Sequence, residues 1–174
     1  IISFLENSSY FTDKFLVAIG KTEWDSFSWN DNSIAEKKHV INNCDIVFTS
    51  AENITAFHNA KSKLKEQNVN DLLLDCSDAH QNSDSNMKDR IGKCYTWIKA
   101  DPSFEGLKQI LHEPDRLFVG DKPELLNRIV TSPTKFIDTL KINKIPNSNM
   151  EESWFDEMDI SLNGGLVAII GNKG

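Results

Sequence analysis

Short apolar runs alternate with amphipathic helical segments through most of the chain, and this alternation limits the possible folds most strongly. Each run is a few residues long and rich in aliphatic or β-branched side chains, which is typical of a buried strand. The predicted strands are 15–19, 45–49, 72–76, 95–98 and 117–119, and the predicted helices are about 33–42, 53–67 and 101–113. Strands that alternate with helices indicate a parallel α/β architecture. We therefore predict an α/β fold with 72–76 as an interior parallel strand.

Two of the helices carry start signals in the sequence. Ser33 and Glu36 have the spacing of a capping box, which predicts that a helix begins at Ser33. Asp101 precedes Pro102, which predicts a capping aspartate followed by proline at the first helical position. The second of these helices is expected to turn Phe104 toward the core, because Phe104 lies on its apolar stripe.

Composition narrows the class of protein. The 174 residues are 39% hydrophobic and 26% charged, as in a soluble globular domain, and the net charge of −7 argues against a generally basic surface for nucleic acid. A local basic patch remains compatible with that charge. Cys44, Cys76 and Cys94 include no CxxC pair, which argues against a zinc knuckle or a disulfide framework and for a cytoplasmic setting. No run reaches the roughly 18 apolar residues of a membrane span.

The character of the chain changes after Gly120, where prolines become frequent and the segments shorten. A half-exposed strand is predicted over 136–145. The segment 166–170 is uniformly apolar, which predicts a fully buried strand. These changes predict three parts: a first domain over 1–121, a linker over 122–133 and a second domain over 134–174.

Polar side chains collect where the predicted strands end. Asp78 and His80 follow the strand 72–76 two residues apart, so an extended backbone points both side chains the same way. A carboxylate beside an imidazole suits a divalent cation, and ligation of one metal requires ligand atoms within about 5 Å of each other. Glu23 follows the first strand, at the same predicted edge of the sheet. The alternatives are a turn with a capping aspartate and a surface histidine for the pair, and a solvated loop for Glu23.

Basic side chains follow the Asp-x-His loop. Lys88 and Arg90 are suited to neutralising a phosphate group, and the alternative is that both are merely solvated. Other conspicuous side chains are expected to be structural, because they lack a ligand or partner at a useful spacing. They are His39, His58 and His112 on predicted helices, and Trp24 and Trp97 in the core.

A glycine loop follows the last apolar run. Gly171, Asn172, Lys173 and Gly174 come directly after the predicted strand, as at the beginning of a phosphate-binding loop. The lysine and hydroxyl residue that complete the G-x-x-x-x-G-K-[ST] pattern would lie beyond Gly174, and a glycine-rich turn is the alternative. Since the chain also begins at Ile1 without a methionine, we expect it to be a piece of a longer protein.

Taken together, these segments resemble a known family. Ser77-Asp78-Ala79-His80 is similar to the last metal-binding motif of PHP domains, the polymerase and histidinol phosphatase superfamily. A longer set of segments resembles the TrlF-type proteins, which are large bacterial proteins that join an N-terminal PHP domain to an SMC/ABC-like P-loop ATPase. The resemblance covers nearly the whole chain. Its segments are 20–25, 75–80, 88–92, 96–102, 104–107 and 166–174.

The resemblance implies a fold and a set of cofactors. Residues 1–121 would be the C-terminal part of a PHP-type (β/α)7 barrel that holds zinc, manganese or iron, and these metals activate water for attack on a phosphate ester. Residues 134–174 would be the initial strands of an ATPase domain that binds ATP and magnesium, cut within its Walker A loop. The opening H-x-H motif of the family is not in this sequence, which supplies only the last ligand pair, Asp78 and His80.

The resemblance also implies a function. The parent protein would be a metal-dependent phosphoesterase or nuclease coupled to an ATPase, acting on nucleic acid, with defence against phage as its setting. Asp78, His80 and Glu23 would bind metal, Lys88 or Arg90 would contact phosphate, and this segment alone would be inactive. Expected partners are nucleic acid, the rest of the ATPase domain and a second copy of the chain, and no membrane. The alternatives are an inert PHP-like platform that regulates the ATPase, and an ATPase with an inert α/β cap.

Overall fold

The computed structural model of this chain describes residues 1–145, 157–165 and 167–168. They form a mixed α/β structure that divides into two compact units, Ile1–Asp121 and Lys122–Gly174. The elements of the first unit are α1 (Ile2–Glu6), β1 (Ala18–Ile19), α2 (Lys21–Trp24), α3 (Ile34–Asn42), β2 (Ile46–Thr49), α4 (Ile54–Glu66), β3 (Leu73–Asp75), β4 (Thr96–Ile98), α5 (Phe104–His112), a 3-10 turn (Pro114–Arg116) and β5 (Leu117–Val119).

A three-stranded parallel sheet lies at the centre of the first unit, in the order β1–β2–β3. Val47 lies opposite Leu73 in a parallel register, so the predicted parallel pairing is confirmed for these strands. The prediction that 72–76 is an interior strand is wrong, because β3 is the last strand of this sheet. No described strand pairs with the outer edge of β3, and the side chain of Thr96 forms hydrogen bonds to this edge instead. The Thr96 hydroxyl accepts from the Asp75 N–H and donates to the Asp75 carbonyl, each at 2.8 Å.

Both faces of this sheet are covered, as parallel sheets require. One face packs on α2, α3 and α4 through the first cluster of buried residues, and the other packs on α5 through the second. Neighbouring residues of a strand point to opposite faces, so Val47 joins the first cluster and Ile46 the second. The first cluster is Ile19, Trp24, Ile41, Val47, Ala51, Phe57, Leu64, Val69 and Leu73, and the second is Ile46, Leu74 and Ile110.

The strands β4 and β5 do not extend the parallel sheet. They form a separate antiparallel pair in which Trp97 lies opposite Phe118. Only one face of this pair is covered, so alternation leaves Trp97 37% and Phe118 42% exposed. The prediction that Trp97 is a core residue is therefore wrong, whereas Trp24 is fully buried as predicted. The residues that the structure describes close no barrel.

The predicted start of α3 is confirmed, whereas the predicted start of α5 differs from the structure. Ser33 is the N-cap of α3, but its hydroxyl donates to Asp31 Oδ1 at 2.8 Å and makes no bond to the helix. The helix therefore begins where the sequence predicts, but without the hydrogen bond of a capping box. The helix α5 is capped by Ser103, whose hydroxyl accepts from the Gly106 N–H at 3.0 Å. Asp101 is therefore not the cap, and Phe104 at the first position of the helix is exposed.

The second unit contains α6 (Glu124–Thr131), a 3-10 turn (Pro133–Lys135), β6 (Thr139–Ile142) and β7 (Met158–Ser161). The two strands are antiparallel, with Leu140 opposite Ile160, and β6 lies within the strand predicted over 136–145. The range predicted as a linker contains α6. In the described parts of both units, no helix is both long and apolar enough to cross a membrane.

The apolar segment 166–170 differs from its prediction where it is described. Val167 and Ala168 are exposed and belong to no strand, so a fully buried strand is wrong at these two positions. Within the described residues of the second unit, the strands form one antiparallel pair, β6 and β7. The remaining positions of this segment lie outside the described residues, together with Gly171, Asn172, Lys173 and Gly174.

Candidate functional site

The loops after β1, β2 and β3 meet at the carboxyl edge of the parallel sheet and form a surface cleft. The first loop continues directly as α2, and the Lys21 ammonium group at its start donates to the Ser50 carbonyl at 3.2 Å. This contact joins the loops after β1 and β2. Ligands of open α/β sheets gather at this edge of the strands. The cleft is lined by Lys21, Thr22, Asp25, Ser26, Ser50 and Asp78.

Asp78 and His80 lie side by side in the loop after β3. Asp78 Oδ1 and His80 Nε2 are 3.6 Å apart, so the prediction that these ligand atoms lie within about 5 Å is confirmed. Both side chains are open to solvent, with 70% of Asp78 and 87% of His80 exposed. The pair is therefore accessible to an ion or a substrate from outside.

Asp75 organises this edge of the sheet, and the sequence analysis missed it. Its side chain is fully buried. Oδ1 accepts from the Ala51 N–H at 2.8 Å, and Oδ2 accepts from Lys88 Nζ at 2.5 Å and the Tyr95 N–H at 2.7 Å. The carboxylate thus connects the end of β3 to three other segments of the chain, which contribute Ala51, Lys88 and Tyr95. An acidic residue inside an otherwise apolar strand is the signal that could have identified it, because a buried charge requires partners.

Lys88 and Arg90 occupy different surroundings from those predicted. The Lys88 ammonium group is engaged inside the protein, where it bonds to Asp75 and to the Cys76 carbonyl at 3.3 Å. Arg90 is exposed and lines a second cavity with Asn82, Ser83, Asp84 and Ile91. The structure places neither side chain among the residues that line the Asp78 cleft, and a phosphate contact by either one stays a prediction.

Glu23 is not brought to the Asp78–His80 pair. The residue is exposed on α2, and its carboxylate lies back against Gly20, where an added Cβ would be only 2.6 Å from Glu23 Oε2. The turn of helix that begins at Lys21 produces this direction, because position 23 then faces the residue before the helix. Among the described residues, no group of three or more His, Cys, Asp or Glu side chains is arranged to hold a metal ion.

Cys76 is adjacent to the site but behaves as a packed thiol. Its Sγ contacts the Thr49 carbonyl at 3.2 Å. Burial raises the pKa of the Cys76 thiol above its ordinary value, and the Asp75 carboxylate raises it further. The neutral thiol is thus favoured over the thiolate that binds metals.

The donor set of the pair fits a divalent cation in type. Asp78 offers a carboxylate oxygen and His80 an imidazole nitrogen, and zinc, manganese and iron accept both. Two donors are about half of a tetrahedral set, so water or other residues would have to supply the remainder. The residues that would hold ATP lie outside the described part of the chain and offer no comparable test.

No family model, no curated protein and no solved structure matches this chain. The likeness to PHP domains and TrlF-type proteins therefore rests on the motifs alone. A function has to be argued from the chemistry of the Asp78–His80 pair and its surroundings.

Proposed function

We propose that this chain is part of a metal-dependent phosphoesterase or nuclease that is coupled to an ATPase and acts on nucleic acid. The observation that carries the proposal is the exposed Asp78–His80 pair, with ligand atoms 3.6 Å apart beside the cleft at the carboxyl edge of the parallel sheet. In this proposal the first unit is the C-terminal part of a PHP-type barrel. The second unit is the beginning of a P-loop ATPase domain.

Asp78 and His80 would hold a divalent cation, with zinc, manganese or iron as the candidates. Bound there, the cation would supply Lewis-acid stabilisation of negative charge on a phosphate ester and would activate water. The exposure of both side chains leaves room for ligands from water or from other residues.

Lys21 is the favoured phosphate contact within the cleft. Lys21 is exposed, and it is the basic residue among those that line the cleft with Asp78. Thr22 and Ser26 add hydroxyl donors to the same cleft. A lysine and hydroxyl groups are suited to a phosphodiester, because its oxygens are charged acceptors. Lys88 is less suited, because leaving Asp75 to reach a substrate would strand a buried carboxylate.

The ATPase part of the proposal is supported by sequence alone. Gly171, Asn172, Lys173 and Gly174 would open the loop that cradles the phosphates of ATP, with magnesium as the accompanying ion. The corresponding partners are nucleic acid, the remainder of the ATPase domain and a second copy of the chain.

The second candidate function is an inert PHP-like platform that docks on the ATPase and regulates it. One observation favours this candidate: the described residues bring together two potential metal ligands and no third. A platform keeps the fold of the first unit and needs no metal.

Metal binding distinguishes the two candidates. The experiment titrates Mn²⁺ or Zn²⁺ into the full chain and into the Asp78→Ala/His80→Ala variant, and assays hydrolysis of a simple phosphodiester in the intact parent. The phosphoesterase predicts binding by the wild type and loss of binding in the variant, together with loss of hydrolysis in the parent.

The matched control is His112→Ala/Asp115→Ala, which removes the same two residue types from exposed positions elsewhere in the first unit. This control should bind the ion like the wild type. If the wild type binds no ion, or if the Asp78→Ala/His80→Ala variant binds it equally well, the phosphoesterase is rejected and the inert platform remains as the proposed function.

A further inference from the structure

One residue connects the buried end of β3 to the exposed pair. The side chain of Lys88 bonds to the fully buried Asp75 carboxylate at 2.5 Å. The backbone carbonyl of the same Lys88 accepts the Asp78 N–H at 2.8 Å. The Lys88 side chain is therefore held by Asp75 at the end of the sheet. The Lys88 backbone carbonyl in turn holds the N–H of Asp78, the first residue of the Asp78–His80 pair.

The pair needs such a support because its own side chains are not packed. With 70% of Asp78 and 87% of His80 exposed, neighbouring side chains do little to restrict their rotamers. Their position is set through the backbone. Two backbone N–H groups are held here, that of Cys76 by the Thr49 carbonyl at 2.8 Å and that of Asp78 by the Lys88 carbonyl, in addition to the bond from the Lys88 ammonium group to the Cys76 carbonyl. The first of these belongs to the end of the sheet, and the second is at the pair itself.

The charges of the ion pair keep this support in place. Asp75 lies away from solvent, and its oxygens already accept bonds from two backbone N–H groups and one ammonium group. Removing Lys88 would leave a buried carboxylate without a counter-charge, which is strongly unfavourable. Lys88 and the loop that carries it are therefore retained at the end of β3, and Asp75 has no free oxygen with which to reach an ion.

We infer that Asp75 and Lys88 are positioning residues for the Asp78–His80 pair and touch neither ion nor substrate. The buried ion pair holds the Lys88 carbonyl, and that carbonyl holds the backbone of Asp78 where its carboxylate meets His80. The part of this inference that concerns metal affinity rests on the proposed function. The part that concerns the backbone of Asp78 is independent of it.

The first readout is amide hydrogen exchange at Asp78 in the full chain without metal. The main variant is Asp75→Asn/Lys88→Met, because Lys88→Met alone leaves an unpaired buried charge and risks unfolding. Loss of the ion pair should speed exchange at Asp78 by about tenfold or more, as expected when a hydrogen bond to a held carbonyl is released. The control Lys65→Met breaks an ion pair with Asp71 at the other end of β3 and should leave this exchange rate unchanged.

The second readout is affinity for Mn²⁺ alone, in variants whose far-UV circular dichroism matches the wild type. Asp75→Asn/Lys88→Met keeps both proposed ligands, yet its affinity should fall by about 10- to 100-fold, as for outer groups that orient a ligand. A lysine with a purely structural role would leave the affinity unchanged.

The outcomes separate the two proposals. If the wild type binds neither Mn²⁺ nor Zn²⁺, the proposed function fails, and exchange at Asp78 still decides whether the ion pair holds the backbone. If the wild type binds Mn²⁺ and the double variant keeps both its affinity and its slow exchange, the positioning role is overturned while the proposed function stands. Faster exchange with unchanged affinity would also overturn the positioning of the pair.

Discussion

Two tryptophans of the first unit differ in the hydrogen bonding of the indole nitrogen, and this difference sets the stability that is lost when each is replaced. Trp24 is fully buried, and its indole nitrogen donates to the Phe48 carbonyl at 2.8 Å. Trp29 packs against the same core, but its indole nitrogen is buried without a hydrogen-bond partner among the described residues. Replacing either residue with phenylalanine keeps an aromatic ring and removes the N–H group.

The expected losses follow from what each N–H group does in the folded state. Trp24→Phe removes ring atoms at a cost of about 1–2 kcal/mol and leaves the Phe48 carbonyl without this donor at about 1–3 kcal/mol. The sum is a loss of about 2–5 kcal/mol. Trp29→Phe has a packing cost no greater than that of Trp24→Phe, because Trp29 is only partly buried, and it also removes an unpaired donor whose burial costs about 1–3 kcal/mol. These two terms oppose each other, so Trp29→Phe should lose no more than about 1 kcal/mol of stability.

Urea unfolding followed by far-UV circular dichroism measures both variants, since removing a tryptophan alters the fluorescence signal. Amide exchange at Val47, which lies in the centre of the parallel sheet, reports the first unit separately from the second. Equal losses in the two variants would refute the reasoning, because hydrogen bonding of the indole would then not decide the cost.

Two further predictions concern other parts of the first unit. Gly106→Ala should lower the midpoint of thermal unfolding, because the added Cβ would lie 2.1 Å from the Asp101 carbonyl oxygen. This loss is expected although alanine favours helices more than glycine does. An unchanged or higher midpoint would contradict the close approach. Hydrogen bonds from Lys37 and then from Ser33 lower the pKa of Asp31. Because the folded-state pKa is the lower one, the stabilisation is present above the ordinary pKa and is lost as pH falls through the folded value. An NMR titration should therefore give a higher pKa for Asp31 in Lys37→Met, and identical values would exclude this cause.

The closeness of Asp78 and His80 could be predicted because it depends on local geometry. Residues two apart on an extended backbone share a side, and the end of a buried strand presents them at the surface. Glu23 could not be placed in this way. Its direction depends on a turn of helix beginning at Lys21, where the sequence predicts a loop.

The ion pair of Asp75 and Lys88 is a feature that the sequence could not predict. They are 13 positions apart, and no periodic pattern joins them. A lysine after a polar loop suggests an available charge, so the sequence predicts that Lys88 contacts a substrate phosphate. An acidic residue in an apolar strand indicates a buried charge that needs a partner, but only the folded chain shows that Lys88 is this partner.

The sequence by itself determined the order of the five strands and of α3, α4 and α5 in the first unit, the parallel pairing of β1, β2 and β3, and the proximity of Asp78 to His80. These features follow from hydrophobic periodicity and from the two-residue spacing in the loop after β3, which act over a few residues. Tertiary structure alone decided that β3 is a terminal strand, that Trp97 faces outward, and that Lys88 is bound to Asp75. Each of these depends on which segments distant in sequence cover a given surface, and burial then dictates the partners of every charge.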